Sequence, residues 1–446
     1  MNTAPAAKAA TSARVADAGS AAPCPAAGCD AAPGGTRGAR SDVPLYVAEA
    51  FTSLAATWLS TGLYFVTSGR FGWGTTAVLA LTAVQGAVYV AGSLLASKLS
   101  ARFGRLQLLM SLYVSMGVLV LMCMLSDAPA VFIGLLLMWT LLCAFNWPVL
   151  EGLLCHGATA GEMSKRVGAY NLIWAGTSAL AIVSISGLMS LAWWAVFAIS
   201  GGLHLASALL VAWRRRSAAA EATHGRLEAP PELLLKRELA RRLSRLALPA
   251  SYTVIYALTP LLMALPTVKG LPEGWQSVAI SVWLFTRVLT FAAMGMTAWW
   301  HGRPGLLLGA VVAMAGAFAG AVLTPAGLGQ AAAMLWLVAA QAVLGVSLGM
   351  IYFGSLYFGM VLAHGGDGKG GSTEQGGYHE ALIGAGTILG PVSGVTAAVA
   401  GVPAAAGVGV VVAASVGACL WTGYAVRRSR RPSRCQRPSE ETAKQR

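Results

Sequence analysis

An all-α integral membrane protein with twelve transmembrane helices is the fold class this sequence predicts, and three observations carry it. Only 11% of the 446 residues are charged while 56% are hydrophobic, whereas a water-facing surface keeps about a quarter of its residues charged. The apolar residues run in unbroken blocks, among them VFIGLLLMWTLLCAFNWPVL (131–150) and GLLLGAVVAMAGAFAGAVL (305–323). Each block approaches the roughly 20 residues that carry a helix across the hydrocarbon core, and barrel strands would alternate polar and apolar instead. The basic residues other than Arg287, finally, are confined to loops and tails.

Spans are expected at 45–67, 75–97, 106–125, 130–151, 167–189 and 191–213, and again at 246–267, 275–298, 305–325, 330–362, 380–400 and 404–426. The tenth is long enough to be broken or tilted. With this count and both termini on one side, all Lys and Arg residues except Arg70, Lys269 and Arg287 fall on that side. Positive charge stays cytoplasmic, so the expectation is a multi-pass protein of the plasma (inner) membrane with both termini in the cytoplasm. The net charge of +14 then reports orientation, and no nucleic-acid partner is expected. Residues 1–44, rich in Ala, Gly, Ser and Pro, read as a disordered cytoplasmic tail without the apolar run of a cleaved signal. Residues 427–446 read as a second, basic tail.

Between the halves lies a basic linker, 214–245. Its segment ELLLKRELARRLSR (232–245) sets Leu235, Leu239, Leu243 and Leu246 at helical spacing among Lys236, Arg237, Arg241, Arg242 and Arg245. That pattern suits a helix lying on the anionic inner leaflet, or a plain basic loop. Membrane lipids are partners on the first reading. Cys24 and Cys29 have no further Cys or His nearby, so no metal site is read there, and no cofactor is expected.

The loop after the second span reads SKLSARFGR (97–105). It resembles the loop motif GKLSDRFGR of the major facilitator superfamily, matching at Arg102, Gly104 and Arg105. Ala101 stands where that motif has aspartate and Ser97 where it has glycine. The resemblance covers about residues 45–426 and implies two six-helix bundles, 45–213 and 246–426, rocking about a central site. It also implies a working monomer. The arginine frequent in the family's fourth span is replaced by the sequence FNWPVLEGLLCHG (145–157), with Glu151. The Gly-Pro pattern of antiporters is missing from the fifth span, and GAGTILGPVSG (384–394) in the eleventh is similar to it.

Ionisable residues inside spans point to function, because lipid makes them costly. Arg287 lies near the middle of the eighth span, where its charge costs at least about 2.5–3.5 kcal/mol. It is expected to face a central cavity and bind an anionic group, the alternative being a structural cation satisfied by carbonyls of a broken neighbouring helix. Gln85, Asn146, Asn171, Trp174, Tyr256, Gln341 and Tyr352 are the other candidate solute ligands, each equally able to bond a neighbouring helix. Glu49 and Glu151, near the cytoplasmic ends of their spans, are candidates to carry a proton or other coupling cation. A cytoplasmic gate is expected in which Arg102 or Arg105 pairs with Glu380, with Glu162 and Arg303 as the counterpart pair. His204 reads as a hydrogen-bonded packing residue. Cys155 and His156, adjacent on a helix, point about 100° apart and form no nucleophile–base pair.

Secondary active transport of a small polar solute, anionic on the cavity-facing reading of Arg287, is therefore the expected function. No Gly-rich phosphate loop ending in Lys-Ser/Thr is present, so direct ATP hydrolysis is not expected. The rivals are a membrane enzyme acting on lipid-linked substrates, with His379 and Glu380 as its nearest candidates but no second carboxylate beside them in sequence, and a transport-inactive sensor or partner.

Overall fold

The computed structural model describes residues 37–217, 230–325, 327–365 and 371–429. The expected tails, as far as they comprise 1–36 and 430–446, and the middle of the linker lie outside the described residues. In chain order the helices are α1 (Arg37–Phe71), α2 (Thr75–Phe103), α3 (Arg105–Met124), α4 (Pro129–Leu154), α5 (Ala160–Leu191), α6 (Ala195–Ser217) and α7 (Pro231–Ala264). They continue as α8 (Pro266–Lys269), α9 (Glu273–Ala279), α10 (Val282–Met296), α11 (Pro304–Val322), α12 (Gln330–Gly365), α13 (Ser372–Val399) and α14 (Ala404–Ser429). Helix is the open-chain solution to a lipid solvent, because it bonds each backbone amide within its own segment. Among the described residues nine helices, α2 to α7, α11, α12 and α14, are long and apolar enough to cross a membrane. The other three expected spans fall on α1, α13 and the pair α9–α10. Leu180, Val183, Leu209, Leu335 and Val410 are exposed, as a surface facing lipid requires.

Helices on each side of the linker pack on one another: α3 on α4 and α6, and α2 on α4; α7 on α11, α12 and α14, and α12 on α10 and α11. The two sets meet along α13 with α2 and α4, and along α5 with α10 and α12. The turn between α2 and α3 is Gly104 alone, at φ 78°. That left-handed conformation favours glycine, which is the physical content of the loop motif.

Three expectations need correction, and for the tenth span one of the two alternatives falls away. α1 begins at Arg37, inside the expected tail. The amphipathic linker helix and the seventh span are one helix, α7, running through Pro249 and Pro260. Its basic face is held by protein: Arg237 is buried, and Arg241 Nη1 and Arg245 Nη2 both donate to Gln375 Oε1 of α13, at 3.3 and 2.8 Å. The tenth span is unbroken, since α12 has 36 residues and is about 54 Å long. The eighth span is the broken one.

The break lies at Ile280–Ser281, between α9 and α10, where both residues sit near ψ 0°. A broken helix in lipid frees carbonyls that only protein can satisfy. Gln341 of α12, fully buried, does so by donating Nε2–H to Ala279 O at 2.7 Å. Gln341→Leu is expected to strip this partner and cost about 1–3 kcal/mol, seen as a lower melting temperature of the purified protein. An unchanged melt would mean that the break is satisfied by another group.

Candidate functional site

A cavity of about 270 Å³ lies among α1, α2, α4, α5, α7, α12 and α13. Its wall is aromatic: Tyr89, Trp139, Trp147, Tyr170, Trp174, Tyr252, Tyr256 and Tyr352 all line it, with Ser53, Thr57, Gln85 and Thr387 among the polar residues between them. Glu380 is the one charged residue in that lining. The volume falls below the roughly 300–1,000 Å³ of pockets for drug-sized ligands, so the space suits a small solute.

One end of the cavity is shut, at the side carrying Gly104, Arg105 and Arg303. There the two helix sets touch through backbone. Gly168 of α5 meets Gly295 of α10 so closely that a Cβ on Gly168 would lie 2.6 Å from Gly295 Cα. Ser164 Oγ donates to Met294 O at 2.9 Å, and Ser372 Oγ of α13 donates to Gly152 O of α4 at 3.0 Å. Gly377 of α13 faces Ser93 O of α2, where a Cβ would sit at 2.5 Å. The lining residues lie further along the same helices, away from these contacts.

Between the closure and the cavity sits a group of buried acids. Glu380 Oε2 accepts from Tyr89 OH at 2.5 Å. Glu151, His379 and Glu380 bring one ligand atom each to within 4.8 Å of one another, and all three are buried. His379 Nδ1 lies 2.9 Å from Ser355 Oγ, while its Nε2 and both Glu151 oxygens have no hydrogen-bond partner. Glu49, also fully buried, accepts from Ser53 Oγ at 2.6 Å and from Trp147 Nε1 at 3.3 Å. Glu49 and Glu380 occupy this depth because α1 and α13 start early, whereas Glu151 stands three residues before the end of α4. Glu380 is eight residues into α13, which begins at Ser372, and so lies about 12 Å along it. It was expected in the first turn, at residue 380.

That shift corrects the expected gate. Glu380 belongs to the cavity and its acid group, and among the described residues it forms no ion pair. Arg102 is exposed, and Arg105 Nη1 lies 3.3 Å from His156 Nδ1. Glu162 closes a capping box on α5, accepting from Thr159 N at 2.8 Å, and Arg303 is the exposed N-cap residue of α11.

Arg287 is 4% exposed and does not line the cavity. Its guanidinium stands 4.9 Å from the ring centroid of Trp174, 5.6 Å from Tyr252, 5.3 Å from Phe291 and 5.1 Å from Tyr352. Nη2 donates to Tyr252 OH at 3.3 Å. Aromatic faces attract a cation by about 2 kcal/mol when water is excluded, so the ring cage offsets part of the burial cost. Three of these rings, Trp174, Tyr252 and Tyr352, stand in the cavity wall in front of it.

Of the other expected ligands, Gln85, Trp174, Tyr256 and Tyr352 line the cavity; Gln85 Nε2 also donates to Thr140 Oγ1 at 3.1 Å. Gln341 serves the broken helix. Asn146 and Asn171 are buried outside the lining, and among the described residues their side-chain amides have no hydrogen-bond partner. His204 accepts from Trp139 Nε1 at 3.3 Å. Sequence reasoning missed Tyr89, Tyr252 and the union of Glu151 with His379–Glu380. A signal existed for the first: Thr82, Gln85 and Tyr89 recur at three- and four-residue spacing, which is one helix face.

The sequence profile described as Major Facilitator Superfamily matches residues 45–372. No curated protein matches the chain at a significant level.

If the glycine contacts shut this end, bulk there will open it. A Cβ on Gly295 would lie 2.8 Å from Gly168 Cα, and backbone cannot yield as a side chain does. Gly295→Val, in a background without the native cysteines, is expected to make a cysteine at the buried Thr373 react with a thiol reagent about tenfold faster, a population shift of about 1.4 kcal/mol. Unchanged labelling in a variant that folds would mean the closure resides elsewhere.

Proposed function

Because this chain belongs to the major facilitator superfamily, whose members are membrane transporters, we propose that it carries a small polar solute by alternating access, as a secondary active transporter. One observation carries the reading: helices of both sets build a single aromatic cavity that close backbone contacts seal at one end. Parting those contacts while the far ends come together would expose the same cavity to the other side. Gln85, Trp174, Tyr256 and Tyr352 are its solute-facing residues in this reading. Glu49 and Glu151, joined by Glu380, hold the coupling cation, because buried carboxyl groups without a counter-ion are costly wherever water is excluded.

Arg102, Gly104, Arg105 and Glu162, with Arg303 on the other helix set, form the polar rim of the closed end. The rim is proposed to be cytoplasmic, in the plasma (inner) membrane, with both termini on the same side and a monomer as the working unit. Cysteines replacing Arg70 and Lys269 are then expected to react with an impermeant thiol reagent applied outside intact cells. A cysteine replacing Arg303 is expected to react only after permeabilisation, and outside labelling at that position would overturn the orientation.

A second reading, that the solute is anionic, is favoured by Arg287, which forms no ion pair among the described residues and whose Nε has no partner. An anion would reach it by displacing the rings in front. Guanidinium holds a carboxylate or phosphate through two parallel hydrogen bonds that lysine cannot reproduce. Solute counterflow in proteoliposomes, which also separates a transporter from an enzyme or an inactive partner, tests both readings. Arg287→Lys is expected to weaken solute affinity by at least about tenfold, and Arg287→Leu to abolish counterflow. Counterflow preserved in Arg287→Leu, with a raised melting temperature, would make Arg287 a structural cation and end the anionic reading. No counterflow by the folded wild-type chain with any solute would end the transport reading itself.

A further inference from the structure

Glu151 of α4 meets His379 and Glu380 of α13 at an arrangement richer in acceptors than in donors, with the hydroxyls of Tyr89 and Tyr170 beside it. The three ligand atoms lie within 4.8 Å of one another, at residues 1%, 0% and 3% exposed. Tyr89 OH satisfies Glu380 Oε2. Among the described residues, no hydrogen bond reaches either Glu151 oxygen or His379 Nε2. Lone pairs that converge at so buried a site repel unless a metal ion or a shared proton lies between them.

We propose that Glu151, His379 and Glu380 bind a divalent first-row transition-metal ion, reached through the aromatic cavity. Two carboxylates balance a double positive charge. Imidazole in place of a third oxygen separates this donor set from the all-oxygen sets that suit Ca²⁺ and Mg²⁺. The second shell fits as well. His379 Nδ1 beside Ser355 Oγ is the outer contact that fixes the ring of a ligating histidine and turns the other nitrogen inward. Tyr89 does the same for Glu380 by holding its Oε2.

Geometry permits the ion. Donor atoms about 2.0–2.2 Å from one metal lie at most about 4.4 Å apart, so small side-chain rotations close the observed spacing. Gly376, one turn before Glu380, makes the approach possible: a Cβ there would come within 2.6 Å of Glu151 Oε2. Glu380 lines the cavity, which supplies the way in and leaves the remaining coordination positions to water or to a donor atom of the solute.

This inference deepens the transport reading by naming the ion held by the cavity's acids, and it is tested without transport, so the two can fail separately. The full-length protein, purified and stripped with chelator, is titrated with Co²⁺ and followed by its visible absorption. Expected is saturable binding with an oxygen–nitrogen ligand field, displaced by Zn²⁺. Glu151→Gln, His379→Gln and Glu380→Gln should each weaken it by at least about 100-fold, Ser355→Ala by about 10–100-fold, and the surface change Asp127→Asn not at all. X-ray absorption of the wild-type complex should show one imidazole and no sulfur, which decides the matter even if a ligand variant fails to fold. No saturable binding would mean that a proton fills the site, and equal affinity in Glu151→Gln and His379→Gln, or a sulfur-to-cobalt band from a cysteine, would place the ion elsewhere; each result overturns the proposal.

Discussion

The meeting of Glu151 with His379 and Glu380 across α4 and α13 constrains the molecule more than any other contact. Lipid offers neither hydrogen bonds nor counter-ions, so the chain must supply both for each polar group it places at depth. The response is visible around the cluster. Tyr89 donates to Glu380, Ser53 and Trp147 donate to Glu49, and Ser355 holds His379. The two helices can bring their carboxyl groups together only because Gly376 has no side chain and Gly152 lets Thr373 lie against it. Packing and chemistry are thus set by the same residues.

A similar economy governs the basic residues. Arg287 is surrounded by rings, and Arg241 and Arg245 share one glutamine. Arg214 and Arg166 both reach Asp42, at 3.0 and 3.5 Å. Isolated pairs of this kind contribute little when exposed, about 0–1 kcal/mol. Here they tie α1, α5 and α6 together at the end where α5 and α10 also touch. The closed end is therefore a mixed structure, with glycine contacts in the middle and charged residues around them.

Composition and charge placement made the membrane class and the all-α fold legible, because both follow directly from the cost of putting charge in lipid. The turn at Gly104 was legible too, since a left-handed turn leaves glycine little competition. Helix starts were not. α13 begins in STEQGG, which reads as loop because Gly and Thr are poor helix formers, and that error moved Glu380 from the cavity to a gate. Arg287 was located correctly in its span, but nothing along the chain reveals that rings from α5, α7, α10 and α12 converge on it. The meeting of Glu151 with His379 and Glu380 joins residues more than two hundred positions apart, and a single sequence carries no trace of such proximity.

The closure and the cavity wall share two helices. α5 carries both Gly168, which touches Gly295, and Trp174, which stacks on Tyr352 with ring centroids 5.4 Å apart and planes 6° from parallel. α10 carries both Gly295 and Arg287, whose guanidinium faces that same Trp174. Six residues separate the two points on α5 and eight on α10, or about 9 and 12 Å of helix. Helices are stiff over such distances, so α5 and α10 cannot part at the glycines without moving Trp174 against Arg287. Desolvated cation–π contacts and a stacked ring pair resist that movement by a few kcal/mol at most, within the range that a bound solute or ion can supply. An occupant of the cavity beside Trp174 and Tyr352 would, on the transport reading, act on the closed end through α5 and α10, with no separate relay.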